Sequence, residues 1–147
     1  MKKIVKEFRN RYHFLSNFFP TKIIIDGLEY NSTEHYFQSM KFTDPKIQEK
    51  VRNAPTPSIA KKIAKKFRKR EDWYDISLDV MERALRAKFN KPDLRKKLIA
   101  TGDMYLQEGN RWNDTFWGVD LKTGKGKNHL GRLLMKIRTK IKTNQIK

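Results

Sequence analysis

Apolar and polar positions change period several times along this 147-residue chain, and each change marks an element. The run "TKIIIDGLEY" places two β-rich segments around Asp26-Gly27, a pair that accepts the positive φ angles of a tight turn, and predicts a β-hairpin. The start, "KKIVKEF", reads as a further strand. "NSTEHYFQSMKF" switches to helical spacing, with Asn31 as N-cap and an end before Asp44-Pro45. A short helix over 46–53 stops at "NAPTPS", whose two prolines break the pattern, and Ser58 is the expected cap of the basic helix that follows. From Ile76 the stripe Leu78, Met81, Leu85 and Phe89 recurs at helical spacing. Pro92 suits the first turn of another helix and Gly102 its C-terminal cap. "MYLQEGNRWNDTFWG" has no regular period and reads as loop with one turn of helix. Leu130, Leu133, Leu134, Ile137 and Ile141 then share one face of a C-terminal helix. The sum is a single α+β domain over 1–147, mainly helical with a small N-terminal β-hairpin or sheet. Its core is expected from about residue 8 to 141, with a basic tail over 142–147.

Composition narrows the class. At 37% apolar and 12% aromatic residues the chain carries too much apolar surface to stay disordered. No apolar run approaches the ~20 residues of a membrane helix. The start "MKKIVKEFRNRY" has the charge of a signal peptide without its apolar segment, so it reads as mature protein and a cytoplasmic location is expected. The absence of cysteine excludes a disulfide framework and thiolate metal ligation. Charge is lopsided: 34 Lys plus Arg against 16 Asp plus Glu, a net +18. "KKIAKKFRKR" holds seven basic residues and no acid, and Leu121 to Lys147 holds nine and no acid. Two readings stay open, contact with a polyanion such as DNA or RNA and a lysine-rich habit on solvated faces.

Several motifs fall short. "GKGKNHLG" has His129 where a dinucleotide fingerprint needs its third glycine, and Arg132-Leu133 where a P-loop needs Lys-Ser/Thr. What survives is a glycine-rich turn whose N–H groups face an anion at a helix start. His13, His35 and His129 lack metal spacing, so no metal and no cofactor are expected. Three stretches set isolated polar residues among aromatics. In the first, Glu34, Gln38 and Lys41 project within about 60° of one another at ~100° per residue. That edge fits either a capped helix with Glu34 at its third position or one wall of a pocket. In "FLSNFFP" the pair Ser16-Asn17 is flanked by aromatics, and in "NDTFWGVD" Asp114 lies between Trp112 and Trp117. Such interleaving suits a pocket that stacks a planar ring, or core aromatics beside a capping residue.

Taken in order, "FLSNFFP", "STEHYFQSMKF", "REDW", "ALRAKF", "LIATGD", "NDTFWG" and "GKNHLGRLLMKIR" resemble the NADAR family of YbiA-like proteins, over Tyr12 to Arg138. The resemblance implies an N-glycosidase that breaks a ribosyl C1′–N bond. Its substrate would be a phosphoribosylamino-pyrimidine intermediate of riboflavin biosynthesis or ADP-ribosylated guanine of nucleic acid. The family's Glu and Lys fall on Glu34 and Lys41, and the acid of its D-x-x-W-G motif on Asp114; its G-x-N-x-L-G motif matches Gly126, Asn128, Leu130 and Gly131. On that reading Glu34 is the first carboxylate at C1′ and Asp114 the second. Lys41 serves as a charge partner, or as an amine that traps the opened sugar. Trp117 and Phe18 stack on the base, and Ser16, Asn17 and Gln38 bond to its edges. The Gly126–Asn128 turn, with Arg70 or Lys127, holds the phosphate, while Phe19, Trp73 and Gly118 complete the binding set. The partner implied is a phosphorylated ribosyl compound, with DNA or RNA contact through the basic faces and no membrane. The alternative is a non-catalytic module that binds ADP-ribose or nucleic acid.

Overall fold

The structure, a computed structural model, describes residues 3–144, so Lys2 of the first strand run and 145–147 of the expected tail lie outside the described residues. In chain order the elements are β1 (Ile4–Val5), a 3-10 helix (Asn10–Leu15), β2 (Ile23–Ile25), β3 (Leu28–Tyr30), α1 (Thr33–Ser39), α2 (Pro45–Arg52) and α3 (Pro57–Ala64). They continue with α4 (Trp73–Lys88), α5 (Pro92–Ala100), β4 (Tyr105–Leu106), β5 (Gly109–Asn110), β6 (Val119–Asp120) and α6 (His129–Lys142). This is the helix-dominated α+β class that the patterning predicts. The chain divides into a contiguous unit, Asn17–Lys88, and a split unit made of Met1–Ser16 and Phe89–Lys147.

In the contiguous unit β2 and β3 form the expected antiparallel hairpin, with Asp26 and Gly27 both at positive φ in the turn. Its inward side chains Ile23, Ile25 and Tyr30 pack with Tyr36 of α1 and Ala84 of α4. A second cluster joins Phe42, Val51, Ala54, Ala60 and Ala64, which seats α2 and α3 beside α1. Two caps differ from expectation. Asn31 gives its carbonyl to Thr21 N, and the α1 cap is Ser32, whose Oγ accepts from His35 N. Glu34 is therefore the second helical residue and not the third, and no capping box forms. For α3 the cap is Thr56 and not Ser58, because Pro57 has no N–H to lose at the first helical position.

In the split unit β1 pairs in parallel with β4, and β5 with β6. β1 is the strand expected in the opening run, whereas β4 and β5 lie inside the stretch read as loop and β6 just after it, where strands so short leave no alternation to detect. α5 starts at Pro92 and ends at Ala100, with Thr101 as its C-cap and Gly102 at φ +60 just beyond. α6 packs on α5 and β4 through Leu130, Leu134 and Ile137, as its stripe predicts. No helix among the described residues is long and apolar enough to cross a membrane.

Candidate active site

Every side chain of α1 is buried, because α2, α3 and α4 all pack against this seven-residue helix. Polar groups placed there need partners. His35 shares a 2.7 Å bond with Ser32 Oγ through Nδ1 and one of 2.9 Å with the Ala54 carbonyl through Nε2. Burial holds its pKa below the ordinary histidine value, so it is a neutral clamp between α1 and the end of α2. Thr33 Oγ1 donates to Asn17 Oδ1 at 2.8 Å, and Glu34 N donates to the Asn17 carbonyl.

Glu34 is only 6% exposed and Gln38 3%. One turn apart, they meet directly: Gln38 Nε2 donates to Glu34 Oε2 at 2.7 Å. The other end of that amide, Gln38 Oε1, is buried and has no partner among the described residues. Rotating the amide would only press its oxygen against the carboxylate, so the charge sets the orientation. A buried acceptor left unmade costs about 1–3 kcal/mol. α1 thus presents a buried carboxylate next to a buried acceptor that no group among the described residues satisfies.

Lys41 follows on the turn after α1. Its Nζ lies 5.6 Å from the Phe37 ring centre and 6.0 Å from that of Trp73, and those two rings meet edge-on at 5.0 Å. Desolvation in this aromatic box pulls its pKa from 10.5 down to about 8, against the opposing field of Glu34 and with the help of Lys69, Lys61 and Lys65. At pH 7 roughly nine in ten of these amines are therefore protonated. Arg70 N donates to the Lys41 carbonyl at 2.7 Å, which ties the Arg70 segment to the site. The Arg70 guanidinium is engaged by both carboxylate oxygens of Asp72. A cleft of about 670 Å³ opens beside it, lined by Phe42, Asp44, Lys69, Arg70 and Asp72 among others.

The remaining expected residues of this unit are placed as follows. Asn17 spends its side chain on Thr33 and on Met81, to whose Sδ its Nδ2 donates at 3.3 Å, so it braces the entry to α1. Phe18 is 38% exposed. Phe19 lies under Lys88, whose Nζ is 5.5 Å from the ring centre. Lys88 is fully buried, and desolvation lowers its pKa from 10.5 to about 7. Sequence reasoning passed over Lys88. Its one visible signal is a lysine at the α4 position following Met81, Ala84 and Leu85, on the apolar face.

The other expected residues belong to the split unit and form a group of their own. Ser16 N closes the 3-10 helix on the His13 carbonyl. Asp114 Oδ1 accepts from Phe116 N and Trp117 N, and Asn110 binds the Asp114 backbone from both ends of its amide. Trp117, Phe116 and His129 cluster, with Lys127 Nζ 6.0 Å from the Phe116 ring. A Cβ on Gly126 would strike the Gly118 carbonyl, and one on Gly118 would strike Glu108, so this close approach requires both glycines. The N–H groups of Lys127, Asn128, His129 and Leu130 donate to the carbonyls of Thr115, Gly118, Phe116 and Trp117. The Asn128 side chain is likewise spent on Glu108 N and the Leu106 carbonyl. In this geometry the start of α6 is occupied by its own loop.

Residues 4–142 match the NADAR domain family. The chain is 41% identical over 133 residues to the N-glycosidase YbiA of Escherichia coli K12, covering 88% of this chain and 82% of that one. It is 42% identical over 132 residues to the riboflavin biosynthesis protein VVA0006 of Vibrio vulnificus, and spans 35% of that relative's length. The NMR structure of E. coli YbiA superposes with a TM-score of 0.87 at 35% identity, over 100% of this chain and 90% of that one.

Proposed function

The chain belongs to the NADAR domain family, and from that premise we propose that it is an N-glycosidase hydrolysing a ribosyl C1′–N bond. The observation that carries this reading is the buried Glu34–Gln38 pair with its unmet acceptor, one helix turn from an amine boxed by aromatic rings. As the C1′–N bond breaks, its electron pair leaves with the nitrogen and positive charge gathers on the sugar. The Glu34 carboxylate stabilises that charge, and its low-dielectric surroundings enlarge the effect. Water then adds to C1′. Glu34 takes a proton from that water, and the leaving nitrogen gains one, so the products are a free amine and a sugar hydroxyl. Gln38 Oε1 accepts from a sugar hydroxyl and holds the ring over the carboxylate. Lys41, cationic at neutral pH, is coupled electrostatically to the Glu34 carboxylate.

In this account Asp114 shapes the loop that carries Trp117, and Asn17 shapes the start of α1. The substrate favoured is a phosphoribosylamino-pyrimidine, in keeping with the riboflavin biosynthesis name of the Vibrio relative. The net charge of +18 favours a second substrate, ADP-ribosylated guanine in nucleic acid. Incubation with each compound, followed by mass spectrometry, tests the assignment: release of free amine and sugar phosphate from either supports it. Intact recovery of both under conditions where they bind refutes it.

A further inference from the structure

Resting on the glycosidase reading, we propose that Met81 is a positioning residue whose sulfur fixes the Asn17 amide and, through Asn17, the backbone of Glu34. Met81 is buried on α4, the helix that packs against α1. A thioether has no hydrogen to give, so its sulfur only accepts. Asn17 Nδ2 donates to that sulfur at 3.3 Å. With its nitrogen committed there, the amide turns its oxygen the other way, where Thr33 Oγ1 donates to Asn17 Oδ1 at 2.8 Å. The flipped amide would set oxygen against sulfur, two acceptors with no hydrogen between them. Met81 therefore decides which end of Asn17 meets α1.

The main chain of Asn17 carries that anchorage to the carboxylate. Its carbonyl accepts from Glu34 N at 3.1 Å and lies 3.3 Å from the Thr33 hydroxyl. Glu34 N belongs to the first turn of α1, whose N–H groups have no acceptor within the helix. Asn17 thus holds residue 34 by its backbone, while Gln38 holds the carboxylate itself. Phe19 supplies a second tie to α4, with Lys88 Nζ 5.5 Å from its ring centre, about two turns beyond Met81. A displacement of about 1 Å at a reacting group costs on the order of 100-fold in rate, so this chain of contacts bears on turnover.

A methionine that only fills space is replaceable by leucine with little effect, and that separates the two roles. The experiment compares Met81→Leu, Thr33→Val and the double variant. Leucine keeps the bulk without the acceptor, and valine keeps the shape of threonine without its hydroxyl. In NMR spectra of Met81→Leu, hydrogen exchange of the Asn17 side-chain amide should quicken about tenfold, and the Glu34 N–H signal should move. In turnover assays kcat should fall about tenfold with KM within about threefold. Both variants release the same amide, so the double variant should lose about as much as either alone. Thr33→Val reads the same amide from its other end should Met81→Leu not fold.

An unmoved Glu34 N–H signal in the folded variant overturns the role of Met81, whatever the protein cleaves. Wild-type kcat with that signal moved also overturns it and leaves the glycosidase standing. Falls in kcat that multiply in the double variant and follow its Tm reduce Met81 to packing. A moved signal in a protein that cleaves no ribosyl C–N bond keeps the anchorage and removes the glycosidase.

Discussion

Replacing Glu34 with Gln deletes one charge and little else. The new amide keeps the size of the side chain and still offers an oxygen to Gln38 Nε2, which now bonds Glu34 Oε2 at 2.7 Å. The magnitude follows from burial. A carboxylate about 4 Å from a unit positive charge is worth about 1 kcal/mol in water and about 4 kcal/mol at an effective dielectric near 20. Glu34 is 6% exposed, so the second figure applies. At ~1.4 kcal/mol per tenfold in rate, the variant should lose about a thousandfold in kcat. Affinity for the intact substrate should change by less than threefold, since the carboxylate's charge acts on the cation formed in the transition state. The assay is single-turnover release of the free amine beside calorimetric titration of the same ligand. A kcat within tenfold of the wild type, in a folded variant, refutes the role given to Glu34. Unchanged binding in a protein that never turns over favours a binding module instead.

The pH profile of kcat/KM should decline above about pH 8, where the free enzyme's Lys41 loses its proton; a rise to a plateau there assigns the neutral amine as the working form. Lys88 is fully buried with its pKa lowered to about 7, so between about pH 7 and 10.5 the unfolded chain holds a proton the folded one lacks. Stability should therefore rise with pH across that window, by at most roughly 5 kcal/mol from this group. Lys41 adds to the same slope from about pH 8. Urea titrations of Lys88→Met should show a flatter rise, and an unchanged slope contradicts the burial argument. Asp114→Ala removes the acceptor for Phe116 N and Trp117 N and should destabilise by about 1–2 kcal/mol, read as a lower Tm. Asp114→Asn keeps that acceptor and should restore both Tm and activity; normal Tm with a hundredfold loss of kcat shows that the charge itself is used.

What could be read in advance follows physical periodicity. The hairpin turn at Asp26-Gly27 and the α6 stripe were visible because positive φ and helical spacing leave direct marks. β4, β5 and β6 were not, since two-residue pairings held by distant backbone partners leave none. The Glu34–Gln38–Lys41 edge was legible as a shared face, but the choice between cap and pocket was not. Local spacing could not reveal that Ser32 takes the capping role, freeing Glu34 for Gln38. Asn17 and Asn128 look like ligand groups among aromatics and glycines, yet tertiary contacts consume their amides. Lys88 stayed hidden because a lysine on a charged helix signals a solvated face unless its burial is known.

The most direct measurement is a crystal structure of the Glu34→Gln variant with uncleaved substrate bound. The account predicts C1′ within about 3.5 Å of the residue 34 side chain and a sugar hydroxyl on Gln38 Oε1. A substrate bound with its anomeric carbon far from α1, and Gln38 Oε1 still without a donor, contradicts it.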